Sequence, residues 1–493
     1  MSNRNPGALR RTGAFAGLVM AVMGAGCASR VAYVRPAAPP QRQYLQTPSK
    51  TGATEPAGGE VPRVSLGAAP PAEWWTLLGS EQINQLVTLA LKNNQTLASA
   101  QAHLAAARER VRAAQGAWYP QVDVAVAAQR TRYGAPVLGS LAKDFPPYSA
   151  YAAGPSVSYD FDVFGRTRSR VEEASSRAQY DAAQLNAVAL SVAGNVVIEA
   201  LQIGALRAQI RVAQGIVTDD EHSLALIRAA RDAGAVSDMD VLSAQSQTDH
   251  DRTLVPPLQQ ELNLAQSVLA SLVGLAPSDW TAPDVDLDTI RLAGSLPVAL
   301  PSELVHRRPD IGAAEAQLHA ASAALGVATA NLYPQLTLSA TLGQQGLLGG
   351  GPSETAFNVL GGLTAPLFHG GTLTAERRAA QDEYRAAYAT YQQTVLDAFS
   401  QVAAALQALG TDAASLRAQQ QALESASASL SLTRQAYGAG NAGYIQVLDA
   451  QRLHQEAELG QVRATSQRYV DAVKLLLAAG GRVELARTDS PRT

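Results

Sequence analysis

The sequence predicts a mainly α-helical fold with a small β part, built from two internal repeats. The first observation is the repeat itself: Gly234 followed by Val241-Leu242 returns as Gly440 followed by Val447-Leu448, 206 residues later. The second is a pair of proline-free helical stretches, of which the first runs about 64 residues, or roughly 95 Å at 1.5 Å per residue. The third is four strand-like alternations of apolar and polar residues, two in each repeat.

Composition limits the function classes. Of 493 residues, 47% are hydrophobic and only 16% are charged, which favours packed helices over a disordered chain. Lys and Arg number 39 against 42 Asp and Glu, so the sequence offers no basic surplus for a nucleic-acid partner. One cysteine excludes an intrachain disulfide and a multi-cysteine metal site. No catalytic motif is visible, and we expect neither enzymatic activity nor a cofactor nor a bound metal.

The N-terminus predicts export with lipidation. Arginines precede a short apolar run that ends in Gly24-Ala-Gly-Cys27, which resembles a bacterial lipobox. We therefore predict a lipoprotein signal peptide over residues 1–26 and acylation of Cys27; an ordinary signal peptide with an incidental cysteine is the alternative. Residues 27–72 are rich in Pro, Ala and Gly without hydrophobic periodicity and predict a lipid-anchored tether or an extended surface strap.

The first repeat is predicted over residues 73–300. Its long helix carries an apolar seam with spacings of four and three residues, as in a coiled coil. Pro256-Pro257 interrupts the return helix and predicts a kink without a counterpart in the second repeat. The predicted elements are strands at about 121–131 and 154–164, a long helix at about 167–233 and a return helix at about 238–274.

The second repeat is predicted over residues 301–480, followed by a C-terminal tail over 481–493. Its seam runs from Tyr391 to Leu409 with the same spacing as the first. The predicted elements are strands at about 335–343 and 356–367, a long helix at about 372–437 and a return helix at about 444–479.

The strands have one apolar and one polar face, which suits a soluble antiparallel sheet or a membrane barrel with an aqueous lumen. Strands of about ten residues favour the barrel. Because a bilayer tolerates no open sheet edge, four strands per chain then require oligomerisation into eight strands as a dimer, twelve as a trimer or sixteen as a tetramer. The predicted lipid-facing residues are Val157, Tyr159, Phe161, Leu336 and Leu338, and the predicted lumen-lining residues are Asp160, Asp162, Thr337 and Ser339.

Several segments resemble one known family. They include His306-Arg-Arg-Pro-Asp-Ile311, Leu332-Tyr-Pro-Gln335 and Tyr444-Ile-Gln-Val-Leu-Asp-Ala-Gln451. The chain resembles the TolC-like outer membrane factors of tripartite efflux systems, and among them the NodT-type outer membrane lipoproteins. The resemblance implies a homotrimer with a 12-stranded barrel in outer-membrane lipid and a periplasmic α-helical barrel. It also implies two partners, a periplasmic adaptor (membrane fusion) protein and an inner-membrane pump that is often proton-driven.

The resemblance further implies a periplasmic gate at the start of the last helix. The family's constricting apolar and acidic residues correspond to Ile445 and Asp449, whereas Gln446 stands where relatives carry a second acid. Subtracting 206 from 446 gives Asp240, which we expect to supply an acid from the first repeat. The alternative is that Asp449 and Asp240 only cap or solvate helix N-termini.

The expected function is that of a passive exit duct for small toxic compounds. Type I protein secretion and metal efflux remain open, because the pump chooses the substrate. A periplasmic coiled-coil structural lipoprotein is a further alternative, but it leaves the four alternating strands unexplained.

Overall fold

A computed structural model of the chain describes residues 33–37, 40–41, 43–45, 63–132 and 147–485. The predicted signal peptide 1–26, Cys27 and the last eight residues lie outside them. Besides short 3-10 helices at Trp74–Leu78 and Leu287–Thr289, the described elements are, in chain order, β1 (Arg63–Leu66), α1 (Glu81–Asn93), α2 (Gln95–Gly116), β2 (Gln121–Thr131), β3 (Tyr148–Phe161), α3 (Arg166–Asp232), α4 (Asp238–Arg252), α5 (Val255–Leu272), β4 (Ser295–Val298), α6 (Pro301–Arg307), α7 (Pro309–Ala330), β5 (Gln335–Leu347), β6 (Glu354–Thr364), α8 (Thr372–Gly438) and α9 (Tyr444–Ala478). The predicted fold class, mainly helical with a small β part, is confirmed.

The described residues fall into two compact units. One contains Leu104–Asp181 and Ala314–Tyr391, and it holds a four-stranded sheet with the order β2-β3-β5-β6. All neighbours in this sheet are antiparallel, and the central pair β3–β5 joins a strand of the first repeat to a strand of the second. The two repeats therefore share one sheet.

A pair of glycines allows close backbone approach in the centre of this sheet. A Cβ on Gly154 would lie 2.1 Å from the carbonyl oxygen of Leu342, and one on Gly343 would lie 2.6 Å from that of Ala153. Neither position has room for a side chain, so glycine is required at this point of the β3–β5 pairing.

Three of the four strands in this sheet, β3, β5 and β6, extend further toward the β2–β3 and β5–β6 connections than predicted. β3 ends at Phe161 because Asp162 begins the transition into α3, and β6 ends before Pro366, which lacks a backbone N–H. The observed bounds are 121–131 as predicted for β2, 148–161 instead of 154–164 for β3, 335–347 instead of 335–343 for β5, and 354–364 instead of 356–367 for β6.

The other unit contains most of the long helices. The predicted seams are buried: on α3 they include Ala189, Val196 and Ile203, and on α8 they include Ala398 and Val402, all fully buried. Glu199, the charged residue in the first seam, is partly buried, and this burial raises its pKa. The seam pattern therefore predicted the packed faces of both long helices.

The return helix of the first repeat is broken, as Pro256-Pro257 predicted. α4 ends at Arg252, and α5 begins at Val255 with the prolines in its first turn, where a missing N–H costs no helical hydrogen bond. The corresponding helix of the second repeat, α9, runs without interruption for 35 residues. The kink is thus confined to one repeat.

The predicted tether 27–72 contains structure that its composition did not indicate. Arg63–Leu66 forms β1, which pairs in parallel with β4. The Tyr44 hydroxyl donates a hydrogen bond to the Ala299 carbonyl at 2.7 Å. In the sheet-containing unit the Tyr33 ring stacks on His319 with 4.2 Å between ring centroids, and Arg35 forms an ion pair with Glu315 at 2.6 Å. The described parts of this segment are therefore a strap on the protein surface, the second of the two readings that the sequence allowed.

Candidate functional site

The register of the four-stranded sheet decides which side chains share a face. Residues directly opposite in antiparallel strands point to the same side, so the pairs Tyr159–Leu338 and Phe161–Leu336 extend one apolar face. Val157, opposite Val122 on β2, continues it. All five predicted lipid-facing residues lie on this face. Its large apolar members are Val122, Val124, Val126, Val157, Tyr159, Phe161, Leu336, Leu338, Leu342, Phe357, Val359 and Leu363.

This apolar face is uncovered within the described chain. Val126 is 77% exposed and Phe357 is 80% exposed, and most of the other members are also exposed. A contiguous apolar surface of four strands is far from what a soluble monomer shows to water. The face therefore needs a partner surface or a lipid environment.

The opposite face is polar and carries three of the predicted lumen residues. Asp160 lies opposite Thr337, and Ser158 lies opposite Ser339. The Thr337 hydroxyl donates a hydrogen bond to Asp160 Oδ1 at 2.9 Å, and the Arg166 guanidinium contacts Asp160 Oδ2 at 3.2 Å. Two large apolar side chains interrupt this face, Leu360 opposite Ser339 and Leu347 opposite Ala150.

The fourth predicted lumen residue, Asp162, does not belong to the strand. It follows the last residue of β3, and its two carboxylate oxygens accept hydrogen bonds from the backbone N–H groups of Thr167 and Arg168 at 2.9 and 2.8 Å. A carboxylate at this point satisfies orphan donors in the first turn of α3 and is favoured by the helix dipole. The predicted strand extended three residues too far, to 164, because Asp162 and Val163 continue the alternation of polar and apolar residues beyond the end of β3.

The outer strands of the sheet each have an open edge. Within the described residues, β2 pairs only with β3 and β6 pairs only with β5. These two edges present unpaired backbone N–H and C=O groups over 11 residues each. The protomer sheet is therefore incomplete on both sides.

The two hairpin tips are built alike. Gly234 (φ +73°) and Gly440 (φ +74°) follow α3 and α8 in the left-handed conformation that favours glycine, and α4 and α9 begin within four residues. In α4, Ser237 and Asp240 form a capping box, with the Ser237 N–H donating to Asp240 Oδ2 at 2.9 Å. In α9, the Gly443 N–H donates to Gln446 Oε1 at the same distance. The 206-residue offset thus relates two helix-capping positions.

Asp240 is therefore engaged in helix capping, the alternative role that the sequence left open. Hydrogen bonds from the Ser237 hydroxyl and then the Ser237 N–H lower the pKa of the Asp240 carboxyl. The same geometry accounts for Gln446 without invoking a lost acidic ring. The contacts of Asp240 establish the capping role, and the expectation that Asp240 also supplies a gate acid stays a prediction.

The other two predicted gate residues point away from the core. Ile445 is 69% exposed, and Asp449 lies one helical turn later on the same face of α9, also exposed. Met239, at the position 206 residues before Ile445, is 74% exposed. The sequence reasoning missed Met239, although subtracting the repeat offset from 445 points to it. Each tip therefore presents a large apolar side chain to its surroundings at this repeat position, and the first tip adds Leu242, which is 68% exposed.

A small apolar core holds the tips in place. Tyr444 and Val447 of α9 are buried against Leu224, Ile227 and Ala244. The start of α9 thus has two faces, with Tyr444 and Val447 directed inward and Ile445 and Asp449 directed outward. This division fixes the orientation of the exposed pair.

The described residues contain no group of three His, Cys, Asp or Glu side chains that could hold a metal ion. Cys27 lies outside the described residues, so its predicted acylation stays a prediction.

Comparison with known proteins identifies the family. The model of the family described as "Outer membrane efflux protein" matches residues 86–275 and 300–481. The pyoverdine export outer membrane protein OpmQ of Pseudomonas putida is 32% identical over 452 residues, covering 88% of this chain and 93% of the relative. The outer membrane protein OprJ of Pseudomonas aeruginosa is 31% identical, covering 94% of this chain and 95% of the relative.

Solved structures agree with this result. The outer-membrane channel OprN superposes with a TM-score of 0.81 at 27% identity, covering 92% of this chain and 99% of the OprN chain. VceC of Vibrio cholerae shows the same fold, with a TM-score of 0.76 at 24% identity, covering 84% of this chain and 100% of the VceC chain. The chain therefore belongs to the outer membrane efflux protein family, and its place is the outer membrane.

Proposed function

We propose that the protein is the outer-membrane exit duct of a tripartite efflux pump, a passive trimeric channel-tunnel for small toxic compounds. The observation that carries this proposal is the sheet, which has one uncovered apolar face, one polar face and two open edges. In a bilayer each open edge must be paired, and β2 of one copy can pair with β6 of the next. Such a head-to-tail interface closes into a ring when the rotation between copies is constant.

Three copies are the expected ring size. Four strands per chain give twelve strands in a trimer, the number that the resemblance to TolC-like factors implies. The apolar face then meets lipid, and Asp160, Thr337 and Ser339 line the lumen. The long helices form the periplasmic tunnel, which delivers its contents from an inner-membrane pump through a periplasmic adaptor.

The exposed residues at the hairpin tips are the proposed gate. Ile445 and Met239 supply two apolar side chains per chain, or six in a trimer, and Asp449 supplies three carboxylates. Three symmetry-related carboxylates repel one another and attract cations, so apolar contacts must hold the closed state. Asp449 then tunes ion passage, while Ile445 and Met239 narrow the opening.

Cys27 is the proposed lipid anchor. A single lipidated residue adds membrane affinity, but the barrel supplies the main attachment. Among the relatives, SilC of Salmonella typhimurium is named a probable outer membrane lipoprotein, at 27% identity over 469 residues. This likeness supports acylation of Cys27.

The names of the relatives favour one class of substrate. OpmQ is named for pyoverdine export and TtgF of Pseudomonas putida for toluene efflux. Both names refer to small organic molecules, which favours small toxic compounds over proteins or metal ions as cargo. The partner pump selects the transported compound, and the duct needs no catalytic residue of its own.

Planar-bilayer recording of the purified protein tests the duct. We expect discrete ion-conducting steps from an oligomer; a protein that binds lipid without conducting would instead be a structural lipoprotein. A deletion strain tests the cargo. We expect greater sensitivity to small organic toxicants, whereas sensitivity to metal ions alone or loss of a secreted protein would identify one of the other two cargo classes.

A further inference from the structure

Two carboxyl groups are buried side by side where α3, α4 and α9 meet. Asp220 of α3 is 4% exposed and Asp251 of α4 is 3% exposed. Asp220 occupies a seam position of α3, between the buried residues Ile216 and Leu224. Acidic side chains are rarely buried to this degree without a cation beside them.

Among the described residues, neutral amides rather than cations make the direct contacts to this pair. The Gln451 side chain of α9 donates to Asp220 Oδ1. The Gln247 Nε2 group donates to Asp251 Oδ2 at 2.8 Å, and Gln455 of α9 approaches the same oxygen at 3.5 Å. The second oxygen, Asp220 Oδ2, is buried and has no hydrogen-bond partner among the described residues. The Asp251 carboxyl group lies within hydrogen-bonding range of the Asp220 carboxyl group. An ionised Asp220 would leave this oxygen without a donor.

A proton on Asp220 would supply the hydrogen-bond donor that this pair of carboxyl groups lacks. A protonated Asp220 Oδ2 becomes a donor to Asp251, which satisfies both groups and leaves one charge instead of two. Burial, followed by the hydrogen bond and charge of Asp251, raises the pKa of Asp220 to about 8. Other charged groups nearby are Asp219 on α3, which raises this pKa further, and Arg434 on α8, which lowers it.

The carboxyl groups of Asp220 and Asp251 have little access to water. The tip core of Leu224, Ile227, Ala244, Tyr444 and Val447 begins about one helical turn from Asp220 on α3 and from Gln451 on α9, and about two turns from Asp251 on α4. On another side is a cleft whose lining includes Asp219, Arg434, His454 and Glu458. The lining also includes Gln451 and Gln455 but neither carboxyl group of the pair, so hydration of two negative charges here requires these amides or the helices to move.

We propose that Asp220 and Asp251 form a proton-binding site that holds α3, α4 and α9 together when occupied and loosens them when the proton leaves. Because α9 also carries Ile445 and Asp449, proton loss at alkaline pH favours a wider tip. This last consequence rests on the proposed gate; the proton site itself does not.

Thermal unfolding of the full-length protein in detergent tests the proton site. A carboxyl whose folded pKa is raised adds stability that is full below its unfolded pKa and is lost as pH rises through the folded value. Asp220→Asn imitates the protonated acid and removes this dependence. We therefore expect the Tm of Asp220→Asn minus that of the parent to rise by about 2 °C or more between about pH 5 and about pH 8.

Two further variants make the result decisive. Asp219→Asn removes the neighbouring exposed carboxylate, which acts on Asp220 less than Asp251 does, and its Tm difference should change far less over the same range. The Tm difference of Asp251→Asn should rise like that of Asp220→Asn, and this variant serves in its place if Asp220→Asn does not fold.

Infrared spectroscopy of the parent at neutral pH should show a protonated-carboxyl band that Asp220→Asn lacks. A constant Tm difference for both Asp220→Asn and Asp251→Asn, or the absence of that band, overturns the proposal.

Conductance measurements test the coupling of the proton site to the gate separately from the proton site itself. In planar bilayers the parent should conduct more as pH rises over the same range, while Asp220→Asn should keep its low conductance. If the Tm difference changes with pH but conductance does not, the proton site is supported and its coupling to the gate is wrong.

Discussion

A series of arginine substitutions along β5 separates a membrane barrel from a soluble sheet. Leu336, Leu338 and Leu342 share the apolar face, where Leu342 lies opposite Phe357. Thr341 is the matched control, since it lies at nearly the same height on the polar face, opposite Ser156 and Asn358.

The depth of each leucine follows from strand geometry. β5 has 13 residues, which extend roughly 40 Å along the strand and about 30 Å across the membrane at a tilt of about 40°. On this estimate Leu342 lies about 3 Å from the midplane, Leu338 about 8 Å and Leu336 about 13 Å.

The cost of arginine should follow this depth. Arginine on the lipid face costs about 2–4 kcal/mol at the midplane and about 0–1 kcal/mol near the interface. We therefore expect the full loss for Leu342→Arg, an intermediate loss for Leu338→Arg and a small one for Leu336→Arg. Thr341→Arg should cost little and alter single-channel conductance instead.

The free energy of unfolding in lipid vesicles, from guanidinium titration, measures these losses. Equal losses for Leu342→Arg and Thr341→Arg would refute the assignment of the two faces. Equal losses at all three leucines would refute the depth assignment.

Three further predictions concern the tips and the anchor. Ile445→Ala should raise single-channel conductance more than Asp449→Ala, which should mainly weaken block by divalent cations; parental behaviour of both variants would place the constriction elsewhere. Ser237→Ala removes half of the capping box and should destabilise the start of α4 by about 0.5–2 kcal/mol, seen as faster amide hydrogen exchange there, whereas unchanged exchange would mean that the cap contributes nothing. Mass spectrometry of the purified protein should find Cys27 acylated at the mature N-terminus, and Cys27→Ser with a substitute signal peptide should still insert; an unmodified Cys27 would refute the lipoprotein assignment.

The features that repeat in the sequence could be predicted well. The seam spacing identified buried residues such as Val196 and Val402, and Pro256-Pro257 located the break between α4 and α5. Both signals are local and strong, because a seven-residue apolar repeat or a proline pair has few structural alternatives.

Features that depend on distant partners were missed. The segment 148–153 is rich in Ala and Tyr and shows no alternation, and it becomes part of β3 through pairing with β2 and β5. β1 and β4 have four residues each, too few for a periodic signal, and β4 contains Pro297. Their pairing is visible only in three dimensions.

The acidic residues show why side-chain roles were harder to assign than elements. Asp162, Asp240 and Asp220 are the same residue type, yet the first two cap helices and the third is buried beside another carboxyl group. A signal existed for Asp240, because Ser237 and Asp240 have capping-box spacing. A signal also existed for Asp220, which continues the seam of α3 beyond Ile210 in the place of an apolar residue.

We propose that three copies close their β2 and β6 edges into one twelve-stranded barrel. Native mass spectrometry of the full-length protein released from detergent tests it most directly. A single species with the mass of three mature chains is expected. A monomer would contradict the need for edge closure, and a species of two or four chains would contradict the twelve-stranded barrel.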